Sequence, residues 1–125
     1  MVELCEEELK HNIELLKTEI KPLQALKHPN IVKYLGAGID EEKKSIDLFL
    51  EYVPGGSIKK IIDSFGTFGE KLLKVYTRQI LTGLHYIHER GLIHKDLKCS
   101  NILVDDNGIV KLSDFGFSEK TVEAL

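Results

Sequence analysis

Four polar side chains between positions 96 and 114 have the types and spacing needed to transfer a phosphoryl group. Asp96 is followed by Lys98 and Asn101, and a second carboxylate, Asp114, stands directly before Phe115. A loop carboxylate can deprotonate a hydroxyl, and an ammonium group can neutralise charge on the phosphoryl group as it moves. An amide and a second carboxylate supply the hard oxygen ligands that Mg²⁺ prefers. The pattern predicts a site that holds Mg²⁺ and a triphosphate beside a hydroxyl.

The segment that separates the two carboxylates has the pattern of a β-hairpin. Two short apolar runs, 101–104 and 110–112, flank Asp105-Asp106-Asn107-Gly108, whose composition is typical of a hairpin turn. Each motif alone would more often be an ordinary turn than a site. Because both occur in order with a hairpin between them, the functional interpretation is favoured.

The first half of the chain predicts one helix and two strands that must help to position this site. Apolar residues at helical spacing predict a helix from Glu6 to Leu26, and Pro22 is expected to kink or end it. A strand is predicted from Ile31 to Tyr34, broken by Gly36-Ala37-Gly38. A second strand is predicted over 46–50.

The second half predicts two helices before the hairpin. Ser57 is expected to cap a short helix that continues to about Ser64. The longest helix is predicted from about Glu70 to Arg90, with Gly91 as its C-terminal cap. Its buried face is expected to carry Leu73, Tyr76, Ile80, Leu84 and Ile87.

Composition and charge narrow the range of functions. The 125 residues carry a net charge of −3, which gives no electrostatic basis for binding nucleic acid or an anionic membrane. No apolar run approaches the length of a membrane-spanning helix, and the acidic N-terminal residues do not resemble a signal peptide. Cys5 and Cys99 have no metal-binding spacing and fit a reducing cytosol. We therefore expect a cytoplasmic protein.

The ordered motifs resemble those of a known enzyme family. His94-Lys95-Asp96-Leu97-Lys98, with Asn101, followed by Asp114-Phe115-Gly116, is similar to the catalytic loop and metal-binding DFG motif of eukaryotic protein kinases. The resemblance implies an α+β, protein kinase-like fold that includes helix C, two N-lobe strands, the hinge, helices D and E, the catalytic loop and the DFG motif. It implies a partial kinase domain, with 1–53 as part of the N-lobe and hinge and 54–125 as the first half of the C-lobe.

The resemblance assigns a role to each site residue. Asp96 is expected to accept the proton of a substrate hydroxyl, and Lys98, which is typical of serine/threonine kinases, to contact the γ-phosphate. Asn101 and Asp114 are the expected Mg²⁺ ligands. The residues expected to bind ATP lie at the gatekeeper, the hinge, the catalytic loop, the pocket floor and the DFG motif. In chain order they are Leu50, Glu51, Val53, Lys98, Ser100, Asn101, Leu103 and Asp114. At the hinge, backbone groups are expected to bind adenine, so that side-chain identity matters little.

Other residues are expected to have structural or regulatory roles. Glu19 would pair with the lysine that anchors ATP, although a Glu taken alone is more often a solvated helix charge. Leu23, Tyr34, His94 and Phe115 are expected to pack as an apolar column that links the lobes. Lys95 stands where the family usually has an Arg that binds a phosphorylated activation loop, and Lys lacks the bidentate geometry of Arg.

The branch of the family is indicated by segments such as 28–32 and 51–57, which resemble MAP kinase kinase kinases. That similarity implies a protein substrate, a kinase further down a cascade. The 125 residues contain no Gly-rich phosphate loop and no Val-Ala-x-Lys strand, so we expect little activity from them alone. A non-catalytic kinase-like module that binds or scaffolds a partner is the alternative. A coiled-coil adaptor is disfavoured because Pro22 interrupts barely two heptads.

Overall fold

Two antiparallel strand pairs and a set of helices form the part of the chain that the computed structural model describes, residues 10–11, 14, 21–40, 42–43 and 45–113. In chain order the elements are β1 (Tyr34–Asp40), β2 (Ser45–Leu50), α1 (Ile58–Phe65), α2 (Glu70–Glu89), a 3₁₀ turn (Cys99–Asn101), β3 (Ile102–Val104) and β4 (Val110–Leu112). β1 pairs with β2, and β3 pairs with β4. The α+β class predicted from the sequence is confirmed.

The first strand lies later in the chain than predicted. β1 begins at Tyr34 and continues through Gly36 and Gly38, because pairing with β2 satisfies its backbone groups despite a register shift between Tyr34 and Gly36. A Cβ at Gly38 would lie 3.1 Å from Cε2 of Phe49, so the absence of a side chain gives room for the Phe49 ring. The prediction of a strand from Ile31 to Tyr34 that the glycines break was therefore wrong.

The residues before β1 bind to the other strand pair. The Val32 N–H donates to the Leu112 carbonyl at 3.0 Å, and the Leu112 N–H donates to the Asn30 carbonyl at 2.9 Å. Ile31 forms a parallel bridge to Leu112. This segment therefore extends the β3–β4 hairpin instead of the β1–β2 pair.

The two helices that follow β2 begin and end close to the predicted positions. The Ser57 side chain accepts a hydrogen bond from the Lys60 N–H at 3.1 Å and caps α1, as predicted. α2 ends one residue before the predicted Arg90, and Gly91 follows with a φ of 74°, the left-handed conformation expected of a C-terminal cap. Helical residues 21–24 end shortly after Pro22, also as predicted.

The buried face of α2 differs from the prediction at its first turn. Tyr76 and Ile87 are buried and Ile80 and Leu84 are partly buried, but Leu73 is 53% exposed. α2 meets β4 and Asn30 at Gly83, where an added Cβ would lie 3.1 Å from both the Asn30 carbonyl oxygen and the Leu112 side chain. Leu73 lies ten residues earlier, about 15 Å along the helix axis, and so projects beyond that contact.

The core lies between α2, the β3–β4 hairpin and the segment that precedes β1. Its least exposed side chains are Ile87, Leu112, His94, Val32 and Val110. Because β4 supplies two of them, the strand that leads to Asp114 is the most deeply buried part of the hairpin. In the described part of the chain, no helix combines the length and apolarity required to cross a bilayer.

Candidate active site

The loop between α2 and β3 brings Asp96, Lys98 and Asn101 together. The Asn101 carboxamide nitrogen donates to the Asp96 carbonyl at 2.8 Å and to its carboxylate Oδ2 at 3.2 Å. The Asn101 N–H also donates to the Lys98 carbonyl at 2.9 Å, which closes the 3₁₀ turn. Asn101 is buried, so it fixes both the loop backbone and the direction of the Asp96 carboxylate.

Lys98 lies beside the carboxylate without being tightly bound to it. Its Nζ is 3.8 Å from Asp96 Oδ2, and the two side chains are 59% and 43% exposed. An ion pair this exposed contributes only about 0–1 kcal/mol, because water screens it and both side chains lose rotamer freedom. The ammonium group can therefore turn toward a phosphate at little cost.

His94 anchors the start of the loop in the core. Its Nδ1 accepts a hydrogen bond from the Asp96 N–H at 3.2 Å, and its Nε2 lies 2.6 Å from the Ser113 carbonyl oxygen. Since Nδ1 accepts, Nε2 is the nitrogen that donates. His94 thus connects the catalytic loop to the residue that precedes Asp114. Leu23 and Tyr34 are buried in one core cluster, while the column that they were expected to form with His94 and Phe115 stays a prediction.

Ser113 is a site residue that sequence reasoning missed. Its N–H and its hydroxyl both donate to the Asn101 carbonyl, at 2.9 and 3.1 Å, and its own carbonyl oxygen contacts His94. These contacts fix the end of β4 against the catalytic loop. The sequence did offer one sign of this role, because Ser113 is a small polar residue between a buried strand and the DFG motif.

Three of the predicted residues, Glu19, Asp114 and Phe115, lie outside the described residues. Of the predicted Mg²⁺ ligands, Asn101 alone can be assessed. In the described part of the chain both hydrogen bonds of its carboxamide use the nitrogen, so neither occupies the oxygen that a cation would need. An amide oxygen together with a carboxylate is a donor set that suits Mg²⁺, which keeps several of its water ligands. Among the described residues, no group of three or more His, Cys, Asp or Glu could hold a metal ion.

The segment that follows the hinge adjoins the floor of the predicted adenine pocket. Leu50 ends β2 and packs against the core, and Val53 is buried. Leu103 in β3 is half-buried and forms a bridge with Ser57, which brings the floor next to the segment that follows the hinge.

Ser100 is exposed on the 3₁₀ turn. Lys95 is also exposed and has a φ of 71°, the one positive φ of a non-glycine in the described part of the chain.

The Glu51 side chain makes contacts that the hinge expectation did not include. Its Oε1 lies 3.1 Å from the Lys111 Nζ on β4, and its Oε2 accepts from the Lys33 N–H at 3.1 Å. The Lys111 side chain is only 13% exposed, so this ion pair is better shielded than the Asp96–Lys98 pair. Glu51 therefore connects the hinge to β4 and to Lys33, the residue before β1, through its side chain.

Comparison with known proteins identifies the family of this fold and site. A model of the protein kinase domain matches residues 2–124. Over 111 residues, 89% of this chain, the sequence is 53% identical to the mitogen-activated protein kinase kinase kinase MST11 of Pyricularia oryzae and 50% identical to mitogen-activated protein kinase kinase kinase A of Dictyostelium discoideum. The chain spans 12% of the length of each of these curated relatives.

A solved structure agrees with the sequence comparison. Rad53 1–466, crystallised in complex with AMP-PNP, superposes with a TM-score of 0.75 and 38% sequence identity, over 84% of this chain and 28% of that one. The family predicted from the catalytic-loop and DFG motifs is confirmed. The chain belongs to the protein kinase domain family, and its relatives include mitogen-activated protein kinase kinase kinases.

Proposed function

We propose that this chain carries the catalytic centre of a serine/threonine protein kinase, which transfers the γ-phosphoryl group of ATP to a protein hydroxyl. The observation that carries the proposal is the Asn101 carboxamide, which holds the Asp96 carboxylate at 3.2 Å while Lys98 lies 3.8 Å away. A fixed carboxylate beside a mobile ammonium group suits a reaction that depends on positioning and electrostatics.

In this proposal each of these residues has a chemical role. Asp96 orients the substrate hydroxyl and accepts its proton, and Asn101 keeps the carboxylate directed at that hydroxyl. Lys98 contacts the γ-phosphate and balances its charge during transfer. Asn101 and Asp114 would hold Mg²⁺, which when bound neutralises charge on the phosphate oxygens.

ATP binding is proposed at the hinge. Backbone groups of Glu51 and Val53 would bind adenine, with Leu103 beneath the ring and Leu50 at the back of the pocket. The burial of Val53 and the bridge between Ser57 and Leu103 support this location. The similar Rad53 structure was solved with AMP-PNP, an ATP analogue.

The remaining proposals concern the chain's organisation and surroundings. We propose 1–53 as part of an N-lobe with its hinge and 54–125 as the first half of a C-lobe. The relatives named as MAP kinase kinase kinases support a protein substrate that is itself a kinase of a cascade. A cytoplasmic location fits the exposed free thiol of Cys99, which a reducing compartment keeps unpaired.

A chimeric kinase tests the catalytic proposal. The matching segment of the Dictyostelium relative would be replaced by this sequence, and incorporation of phosphate into a serine/threonine protein substrate would be measured. We expect activity that falls by about 10²-fold or more in Asp96→Asn, the range for loss of general base catalysis. Asp106→Asn is the matched control, because Asp106 is exposed on the hairpin turn and remote from these contacts.

Two outcomes would overturn the proposal. One is a folded chimera without activity, and the other is activity that Asp96→Asn leaves intact. The 125 residues by themselves are expected to transfer little phosphate, because they contain neither a Gly-rich loop nor the ATP-anchoring lysine strand. Robust transfer by that polypeptide alone would contradict this expectation.

A further inference from the structure

We propose that Gly55 is a positioning residue for the adenine pocket. Residues 54–57, here called the hinge strap, connect the hinge to α1 and lie against β3. The missing side chain of Gly55 sets how closely the strap approaches β3, and therefore how far Val53 lies from Leu103. This inference deepens the proposed function and rests on it, because it assumes that ATP binds at the hinge.

The space at Gly55 is already filled by backbone. A Cβ built there would lie 2.0 Å from the carbonyl oxygen of Val104 and 2.9 Å from its carbonyl carbon. Backbone atoms cannot rotate away as a side chain can. The positive-φ glycines of the described residues are Gly56, Gly66, Gly91 and Gly108, so Gly55 is required for space and not for conformation.

The strap pairs with β3 as an additional strand would. The Val104 N–H donates to the Gly56 carbonyl at 2.9 Å, and Ser57 forms an antiparallel bridge with Leu103. The other edge of β3 pairs with β4. β3 is therefore held from both sides, and its position relative to the hinge depends on the strap.

A single added methyl group would open this contact. A carbon and a carbonyl oxygen in close contact are normally about 3.3 Å apart, so the strap and β3 would have to separate by about 1.3 Å. That separation would take the Val104–Gly56 bond beyond hydrogen-bonding distance. Val53 lies two residues before Gly55 and Leu103 one residue before Val104, so the adenine slot would widen with it.

Three alanine variants of the full chain test the inference. Gly55→Ala fills the contact with β3. Gly69→Ala is the space control, because nothing lies within 4 Å of a Cβ at Gly69. Gly83→Ala is the stability control, because its Cβ would crowd Asn30 and Leu112 at the interface between α2 and β4, away from the strap. If Gly55→Ala does not fold, Gly56→Ala disturbs the same strap through its φ of 76°.

Affinities for ATP, adenosine and inorganic triphosphate would be measured by ligand-observed NMR. Urea unfolding would measure the stability of each variant. In Gly55→Ala the affinities for ATP and adenosine are expected to fall by the same factor, about tenfold or more. The affinity for triphosphate is expected to be unchanged. Gly83→Ala is expected to lower the urea midpoint while adenosine affinity stays at the wild-type value.

The possible failures are distinguishable. Wild-type adenosine affinity in Gly55→Ala, or an equal loss in Gly83→Ala, overturns this inference and leaves the proposed function standing. Absence of adenosine binding by the wild-type chain overturns the nucleotide site and this inference together. Hydrogen exchange at the Val104 amide gives a reading that needs no ligand: it is expected to accelerate in Gly55→Ala, and an unchanged rate overturns the docking of the strap.

Discussion

Replacing Gln79 with Ala should remove the connection between α2 and the hairpin that leads to the DFG motif. The Gln79 Oε1 accepts from the Val110 N–H at 2.8 Å and from the Asn30 carboxamide at 3.1 Å, and its Nε2 donates to the Gly108 carbonyl at 3.2 Å. One side chain thus binds the hairpin at two points and the segment before β1 at a third. Alanine is the best helix former, so the change does not weaken α2 itself.

The expected loss can be worked from these contacts. Val110 is fully buried, so its N–H would lose its partner where water cannot replace it, at a cost of about 1–3 kcal/mol. Asn30 keeps its second bond, to the Val110 carbonyl at 2.9 Å, and Gly108 is partly exposed to water. Those two bonds together contribute about 1 kcal/mol. We expect a loss of about 2–4 kcal/mol, a large share of the 5–15 kcal/mol typical of a domain.

Urea unfolding of the wild-type and variant chains would measure the loss. The midpoint is expected to fall at an unchanged m-value, which reports a change in stability and not in compactness. Gln24→Ala is the matched control, because Gln24 is an exposed helical glutamine and its removal should change stability by no more than about 0.5 kcal/mol. A loss below about 1 kcal/mol for Gln79→Ala, or an equal loss for Gln24→Ala, would refute the reasoning.

Two further predictions concern charged groups. A double-mutant cycle with Glu51→Gln and Lys111→Met is expected to give a coupling free energy of about 1 kcal/mol, because the lysine side chain is largely shielded from water. Urea unfolding of the four chains measures this coupling. A coupling of zero would show that the ion pair is too well solvated to stabilise the fold. Burial lowers the pKa of His28 below its ordinary value of 6.5, and the nearby charge of Arg90 lowers it further. The unfolded chain therefore binds more protons than the folded chain, and stability is lost as the pH falls from about 6.5 toward the folded pKa. His28→Asn keeps an acceptor for the Asn30 N–H but does not titrate. Between pH of about 7.5 and 5.5, the free energy of unfolding should fall less for this variant than for the wild-type chain. An equal fall would refute this role of His28.

The features that the sequence predicted well are those set by local interactions. Ser57 and Gly91 mark helix ends through contacts within four residues, and both were placed correctly. The loop motif likewise brings Asp96 and Asn101 together through a bond that spans five residues. Short-range chemistry of this kind can be read from residue types and spacing alone.

The features that the sequence did not predict depend on distant partners. Asn30 and Val110, which are 80 positions apart, share a buried hydrogen bond that no periodicity indicates. The course of β1 through its glycines depends on β2, and the exposure of Leu73 depends on where β4 crosses α2. Ser113 was missed for the same reason, since its partners, His94 and Asn101, belong to the preceding loop.

The two connections of the β1–β2 pair have a mechanical consequence. Lys33 leads into β1 and Glu51 leads out of β2, and the Glu51 N–H donates to the Lys33 carbonyl at 2.8 Å. Just before Lys33, the chain is bonded to Leu112. In the described part of the chain, the strand pair is therefore joined to the β3–β4 hairpin at one end, through two adjacent backbones that are hydrogen-bonded to each other. We expect this attachment to let the strand pair bend about that end more readily than it slides along the hairpin.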